Sequence, residues 1–209
     1  MRKLALVCSS PPFDGAEMPL PMPSYGIHRV HAAAKSGDYP HPVDVRFFDL
    51  GHMGAEAGVQ AILDFAPDLV GFSVYVWSMA TLLKAAADIR AKQPSALFLF
   101  GGPSARRDAF DHPHYQERGR VVDAICEGDG EAVIRDLMAM PRLDRETLAA
   151  TPGLFTRAEG SSDWRCSGML PGLVDTSGVF GEATALPGAP ALACLVGDQQ
   201  GSLVGQSCV

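Results

Sequence analysis

The sequence lacks the cysteine spacings that hold metals and clusters. Its five cysteines lie far apart, and none of their spacings is CxxC or CxxxCxxC, the arrangements that bind zinc or a 4Fe–4S cluster. An odd number of scattered cysteines is typical of free thiols in a reducing compartment. Cys8 and Cys126 fall in predicted strands, where cysteine packs as a small buried hydrophobe. We therefore expect no local metal site.

An excess of positive charge and long apolar runs are also missing. The net charge is −7 and the isoelectric point is about 5.3, which argues against nucleic acid as a partner. Residues 1–160 contain no uncharged apolar run of about 18 residues, and the N-terminus lacks the apolar core of a signal peptide. The hydrophobic content of 47% and charged content of 20% are those of a globular protein. These properties predict a soluble, cytoplasmic protein without a membrane partner.

The signature motifs of several enzyme classes are absent as well. The chain has no GxGxxG, no GxxxxGK[ST], no HExxH and no GxSxG. These absences argue against NAD, ATP, zinc-protease and hydrolase chemistry.

What the sequence does contain is a regular alternation of apolar strands and amphipathic helices. Strands are predicted at 4–8, 43–50, 69–76, 96–100 and 121–126, and helices at 25–36, 55–66, after Ser78 and at 131–140. Ser24 and Ser78 are candidate N-caps. Strands that alternate with helices form parallel βαβ units covered on both faces. We predict an α/β fold over residues 1–140, a doubly wound, flavodoxin-like or Rossmann-like parallel sheet.

The composition changes after residue 140. Residues 141–160 are predicted to be a connecting segment, with one short strand at 152–157. Residues 161–209 are rich in Gly, Ala, Ser and Pro, and show no sustained periodicity. We predict an irregular, poorly ordered C-terminal tail there. One hypothesis is that it is a truncated or frame-shifted remnant of a longer protein.

Three segments at the ends of predicted strands carry small, polar and aromatic residues. In a parallel sheet, ligands bind at the carboxyl ends of the strands, so these segments predict a binding face for one large ligand. The candidate residues are Ser73, Tyr75, Val76, Trp77 and Ser78; Gly101, Gly102, Pro103 and Ser104; and Glu127, Gly128, Asp129, Gly130 and Glu131.

Each segment has a structural alternative to ligand binding. Strand alternation predicts Ser73, Tyr75 and Trp77 on one face, where they contact a heterocycle or simply pack. The glycines that follow the fourth strand either admit a ligand close to the backbone or form a tight turn. After the fifth strand, backbone amides either bind the polar rim of a ligand, or Asp129 merely caps the helix.

The order of these segments resembles the N-terminal cobalamin (B12)-binding domain of B12-dependent radical SAM enzymes. The likeness covers residues 1–157, and no single motif carries it. The matching stretches are LALV at 4–7, PSYGI at 23–27, VRFFDL at 45–50, APDLVGFS at 66–73, GGP at 101–103, EGDGE at 127–131 and PGL at 152–154.

The resemblance implies that cobalamin is the cofactor and that the corrin lies across the carboxyl edge of the sheet, contacted by the three segments. Other corrinoid proteins supply a histidine to cobalt from a DxHxxG motif. Here no aspartate is followed two positions later by histidine, and the nearest match, DLGHMG at 49–54, has the wrong spacing. We therefore predict cobalamin bound without a protein histidine on cobalt.

The radical SAM half of that family is missing from this sequence. Without CxxxCxxC the chain is not expected to cleave S-adenosylmethionine, so the 4Fe–4S cluster and S-adenosylmethionine are expected only in an intact family member. We predict no catalytic residues here and interpret the chain as part of a methyltransferase-type enzyme, completed by a radical SAM or other catalytic subunit. The alternatives are a non-catalytic flavodoxin-like ligand-binding or regulatory domain, and an inert fragment.

Overall fold

The computed structural model describes residues 1–11, 25–158, 161 and 163–168, together with two strands at 177–182 and 191–194. The chain forms two compact units, Met1–Leu170 and Pro171–Val209. The strands of the first unit are β1 (Arg2–Cys8), β2 (Val43–Asp49), β3 (Leu69–Ser73), β4 (Leu97–Gly101), β5 (Ala124–Cys126), β6 (Leu154–Thr156) and β7 (Arg165–Cys166). Its helices are α1 (Tyr25–Ser36), α2 (Leu50–Met53), α3 (Ala55–Phe65), α4 (Met79–Lys92), α5 (Arg107–Asp111), α6 (Gln116–Gly119), α7 (Gly130–Ala139) and α8 (Arg145–Ala150).

The strands of the first unit form one sheet in the order β2-β1-β3-β4-β5-β6-β7. The first five strands in this order are parallel, and β6 and β7 are added antiparallel. The order 2-1-3-4-5 is that of flavodoxin-like folds, in which the direction of winding reverses between β1 and β3. The predicted doubly wound α/β class is confirmed.

Alternating side chains along the strands build a core on each face of the sheet. In β1, Ala5 and Val7 join the core beneath α3 and α4, whereas Leu4 and Leu6 join the core beneath α1 and α7. This alternation is the period of two expected of a strand that is covered on both sides. All four residues are 2% exposed or less.

The third and fifth predicted strands are three residues shorter in the structure. The third ends at Ser73 because the chain then turns, and the Ser78 hydroxyl accepts a hydrogen bond from the Tyr75 amide (3.0 Å). The fifth begins at Ala124 because Val122 belongs to a turn, in which its amide donates to the Gly119 carbonyl (3.1 Å). Apolar residues thus extend beyond the strands at both places.

The predicted helices are present, with small shifts at their ends. Helix α1 begins at Tyr25, while its predicted N-cap, Ser24, lies outside the described residues. Ser78 stands at the N-cap of α4, but its side chain bonds to Tyr75 and not to the first turn of the helix. No helix among the described residues is long and apolar enough to cross a membrane.

The sheet of the first unit continues past residue 140. Strand β6 pairs with β5, and the predicted short strand at 152–157 is therefore present. The Arg157 guanidinium lies 4.5 Å from the centre of the Trp164 ring, and the indole N–H of Trp164 donates to Asp111 (2.9 Å).

In the second unit, β8 (Ser177–Glu182) and β9 (Ala191–Cys194) form an antiparallel pair within the predicted tail. The domain boundaries and the order of the tail stay predictions.

Candidate functional site

A cavity of about 610 Å³ opens at the carboxyl edge of the parallel sheet. Its walls come from the carboxyl ends of β1, β3, β4 and β5 and from the first turns of α1 and α7. The volume lies in the range of small-molecule sites, and the position is where open α/β sheets bind ligands. A second, smaller cavity of about 370 Å³ lies beside Tyr39 and His41 and contains none of the predicted site residues.

The inner part of the large cavity is an apolar slot between the sheet and two helices. Its walls are formed by Leu6, Leu99, Ile27, Val30 and Ile134, with Gly71 of β3 among them. A Cβ atom built on Gly71 lies 3.0 Å from the end of the Leu6 side chain and 4.0 Å from the Ala5 carbonyl oxygen. Because position 71 carries no side chain, the slot remains open down to the backbone of β3.

The segment after β3 forms a rigid turn at the cavity. The Tyr75 ring lines the cavity and stacks on the Trp77 ring, with centroids 4.7 Å apart and planes at 15°. Val76 points to solvent and is 76% exposed, and Ser78 is buried under the turn. The expectation of strand alternation from Ser73 to Trp77 is wrong, because the strand ends at Ser73 and the two rings are brought together by the turn.

The segment after β4 packs directly on the segment after β3. The Val74 amide donates to the Gly101 carbonyl (2.7 Å), and the Ser104 amide donates to the Val74 carbonyl (3.1 Å). Gly102 has φ +99°, and a Cβ built there lies 2.8 Å from both the nitrogen and the oxygen of Val74. The tight turn is therefore present, and the close approach that Gly102 allows is that of the Val74 backbone. Approach of a ligand to these glycines stays a prediction.

All five residues of the segment after β5 line the cavity. The Glu131 carboxylate pairs with Arg29 of α1 (2.7 Å), which joins α7 to α1 at the cavity. Asp129 stands at the N-cap of α7, but its side chain caps no amide and is exposed. The capping alternative is therefore not observed, and this carboxylate is open to a ligand.

Ten of the fourteen predicted site residues line the cavity, and four do not. Val76 and Trp77 lie outside its lining, Ser78 is buried, and Ser104 contributes its backbone to the turn. Two arginines of the lining, Arg29 and Arg106, are not among the predicted residues. The helical periodicity of α1 indicates an element near this edge, but not which of its side chains face the ligand.

No histidine lines the cavity in the part of the chain that the structure describes, which includes all six histidines. The His52 ring nitrogen Nδ1 lies 2.7 Å from the Asp49 carboxylate at the end of β2. Among the described residues there is also no group of three or more metal-ligating side chains.

Burial, and then the acidic residues beside it, raise the pKa of the Cys126 thiol at the cavity wall to about 11, so this thiol is protonated.

Asp49 ties the end of β1 to the end of β2. Its carboxylate accepts hydrogen bonds from the amide and the hydroxyl of Ser10 and from the Gly51 amide. Burial alone raises the pKa of this carboxyl, but the hydrogen bonds from Ser10, His52 and Gly51 outweigh burial and lower the pKa to about 2. The carboxylate therefore stabilises the fold only while it is ionised.

Replacing Asp49 with asparagine is expected to lower the free energy of unfolding at neutral pH, with an effect that fades in acid. The pKa in the folded chain lies below that in the unfolded chain, so this stabilisation is complete above about pH 5 and is lost as the pH falls toward 2. For a partly exposed carboxylate we expect the penalty of Asp49→Asn to be about 1 kcal/mol larger at pH 6 than at pH 2.

Urea titrations of both proteins across this pH range measure the difference. Ser10→Ala is the companion variant, because it removes one donor and so raises the pKa of Asp49. If Asp49→Asn lowers the free energy of unfolding by the same amount at every pH, the ionised Asp49 carboxylate does not stabilise the fold in this way.

Comparisons with known proteins identify the family and agree with the fold. The family model of the B12 binding domain matches residues 13–138 of the 209. The cobalamin-dependent radical SAM methyltransferase TokK of Streptomyces tokunonensis is 32% identical over 104 residues, which make up 48% of this chain and 15% of TokK. The 2-(S-pantetheinyl)-carbapenam-3-carboxylate methyltransferase of Streptantibioticus cattleyicolor is 29% identical over 92 residues, which make up 44% of this chain and 13% of that enzyme.

A solved structure shares the fold. The apo structure of the cobalamin-dependent S-adenosylmethionine radical enzyme OxsB superposes with a TM-score of 0.58 at 17% identity. The match covers 81% of this chain and 22% of OxsB. The chain therefore spans only a small fraction of the length of each of these three proteins.

Proposed function

The chain belongs to the B12-binding domain family, and we propose that it holds cobalamin in the carboxyl-edge cavity without a protein histidine on cobalt. The observation that carries the proposal is the cavity itself, which lies at the carboxyl ends of the strands and has an apolar slot but no histidine in its lining. Cobalamin is the cofactor of the family. What we propose is where it binds in this chain and that no protein histidine coordinates its cobalt.

The residues of the cavity fit the chemical groups of cobalamin. The corrin is a flat, largely apolar macrocycle with amide side chains, and its nucleotide tail ends in a flat aromatic base. An apolar slot that is open at Gly71 suits such a base, because aromatic groups prefer dry, closely packed surroundings. A base bound in the slot would not coordinate cobalt. The described residues of the lining offer no histidine to coordinate it either.

The polar rim supplies partners for the amide groups. The exposed Asp129 carboxylate accepts amide N–H groups, and the first backbone amides of α7, at Gly130 and Glu131, donate to carbonyl or phosphate oxygens. The stacked Tyr75 and Trp77 rings offer an aromatic surface beside the rim. Val76, Ser78 and Ser104 stay predicted contacts, with Ser78 acting through the shape of its turn.

The catalytic part of the system is proposed to lie outside this sequence. Bound cobalamin supplies methyl-carrying chemistry, while the residues of this chain bind and orient it. Reductive cleavage of S-adenosylmethionine needs a 4Fe–4S cluster, and no CxxxCxxC occurs here. We propose that a radical SAM part, joined to this domain or carried by a separate subunit, completes a methyltransferase. Stoichiometric cluster binding by this chain alone after iron–sulfur reconstitution would contradict this proposal.

Equilibrium dialysis with hydroxocobalamin, flavin mononucleotide and NAD tests the ligand. We expect retention of hydroxocobalamin alone. Retention of the flavin alone would favour a flavodoxin-like ligand-binding domain, and retention of none of the three would overturn the proposed site.

The absence of a histidine ligand predicts a specific electron paramagnetic resonance spectrum. We expect cob(II)alamin bound to the chain to show no nitrogen splitting, because in the proposed site neither a histidine nor the tail base would be bound to cobalt. Protein labelled with nitrogen-15 histidine should give an unchanged spectrum, and so should His52→Ala, the histidine nearest to a corrinoid motif. A splitting that responds to the histidine label would refute the proposed ligation.

A further inference from the structure

Glu127 was predicted as a cofactor contact, but its carboxylate is already engaged by another residue. Oε1 accepts hydrogen bonds from the backbone amide of Arg107 (2.9 Å) and from its Nε (3.0 Å), and Oε2 lies 3.4 Å from Nη2. The Glu127 side chain is 24% exposed, which leaves it little surface for a further partner. Hydrogen bonds of this ionised kind are among the stronger ones in proteins.

These contacts join the two segments that form one side of the cavity. Arg107 is the first residue of α5 and lies three residues after the end of the segment that follows β4, whereas Glu127 begins the segment after β5. The N-cap residue of α5, Arg106, makes no side-chain cap, so the carboxylate of Glu127 caps this helix from the neighbouring strand. The Arg107 guanidinium also lies 4.0 Å from the centre of the Phe155 ring of β6, which anchors the pair to the sheet.

We infer that Glu127 is a positioning residue, which sets the spacing of the segments after β4 and β5 through Arg107 and does not bind the cofactor itself. The inference rests on the proposed cobalamin site. Asp129, two residues further along, differs from Glu127 in every relevant respect: it is exposed, it caps nothing, and no hydrogen bond or ion pair joins it to Arg107 in the described part of the chain. Direct contact with the cofactor is therefore assigned to Asp129 and not to Glu127.

A double-mutant cycle separates the two roles. Glu127→Gln and Arg107→Met are each expected to weaken hydroxocobalamin binding about tenfold, because each removes a charge-assisted hydrogen bond. Since both act through one contact, the double variant should bind about as weakly as either single variant. As the matched control, Asp129→Asn combined with Arg107→Met should show additive losses. Additive losses for Glu127→Gln and Arg107→Met, about a hundredfold together, would overturn the inference.

Hydrogen exchange in the cofactor-free protein provides an independent measurement. Exchange at the Arg107 amide is expected to rise about tenfold in Glu127→Gln and to stay unchanged in Asp129→Asn, because only Glu127 accepts from this amide. If the unmodified chain does not bind hydroxocobalamin, the proposed site fails, and exchange alone decides whether Glu127 orders the segment. If the chain binds but exchange at Arg107 is unchanged in Glu127→Gln, only the positioning inference fails.

Discussion

Gly71→Leu is expected to reduce hydroxocobalamin affinity at least a hundredfold while the chain still folds. A side chain at position 71 points into the apolar slot. Its Cβ is close to the end of the Leu6 side chain, at 3.0 Å, which can move, and is in ordinary contact with the Ala5 carbonyl oxygen, at 4.0 Å. The backbone at Gly71 is not in the left-handed region, so the substitution introduces no backbone strain. The leucine would occupy the space proposed for the nucleotide base. A hundredfold loss corresponds to about 2.7 kcal/mol of binding free energy.

Two controls isolate the effect of filling the slot. Gly71→Ala adds one methyl group and should weaken binding less than Gly71→Leu does. Val70→Ile enlarges the preceding residue of β3, whose side chain packs in the core on the opposite face of the sheet. It should alter stability by about 1–3 kcal/mol and leave affinity unchanged. Isothermal titration calorimetry measures all three variants, and full affinity in Gly71→Leu would place the cofactor outside the slot.

The fold could be predicted because its central strands are marked strongly in the sequence. The inner parallel strands carry continuous apolar runs, such as Leu97–Gly101, since both faces of the sheet are covered by helices. The longer helices between them carry an apolar stripe, as in Ala55–Phe65. These signals are local, and they left the flavodoxin-like and Rossmann-like strand orders both open. The structure shows the order β2-β1-β3-β4-β5 for the parallel strands.

Features that depend on contacts between distant residues were beyond the sequence argument. Helix α6 has only four residues, too few for a periodic pattern. The added strands β6 and β7 are short, and their directions follow from the antiparallel pairing of β6 with β5 and of β7 with β6, not from their own residues. Val121 and Val122 are apolar enough for a strand. They nevertheless lie in a turn, and strand β5 begins only at Ala124.

The candidate site, like the fold, could be predicted from the sequence only in part. Polar and small residues at strand ends predicted its location, because parallel strands bring their carboxyl ends to one edge. The roles of individual side chains depend on partners far away in the chain, as for Glu127 with Arg107 and for Glu131 with Arg29. No spacing within the sequence reveals these pairs. The structure therefore separates the acidic residues of one short segment into tethered carboxylates and an exposed one.

Gly102→Ala is expected to lower the free energy of unfolding by about 3 kcal/mol and to weaken hydroxocobalamin binding about tenfold. Position 102 has φ +99°, which costs a residue with a side chain about 1–3 kcal/mol. The new methyl group would also lie 2.8 Å from the backbone nitrogen and oxygen of Val74, which cannot move without breaking the bonds between the two segments. The segments after β3 and β4 both line the cavity. Separating them therefore disturbs the proposed cofactor site as well as the fold.

The neighbouring glycine provides the matched control for this prediction. A Cβ at Gly101 meets only Cys126 atoms at 3.8 and 3.9 Å, an ordinary packing distance, and the backbone there has no positive φ. Gly101→Ala should therefore keep or raise the stability, by up to about 1 kcal/mol, because it reduces the freedom of the unfolded chain. Urea unfolding with dialysis against hydroxocobalamin compares the two variants. Equal stability of Gly102→Ala and Gly101→Ala would show that the approach to Val74 does not constrain this turn.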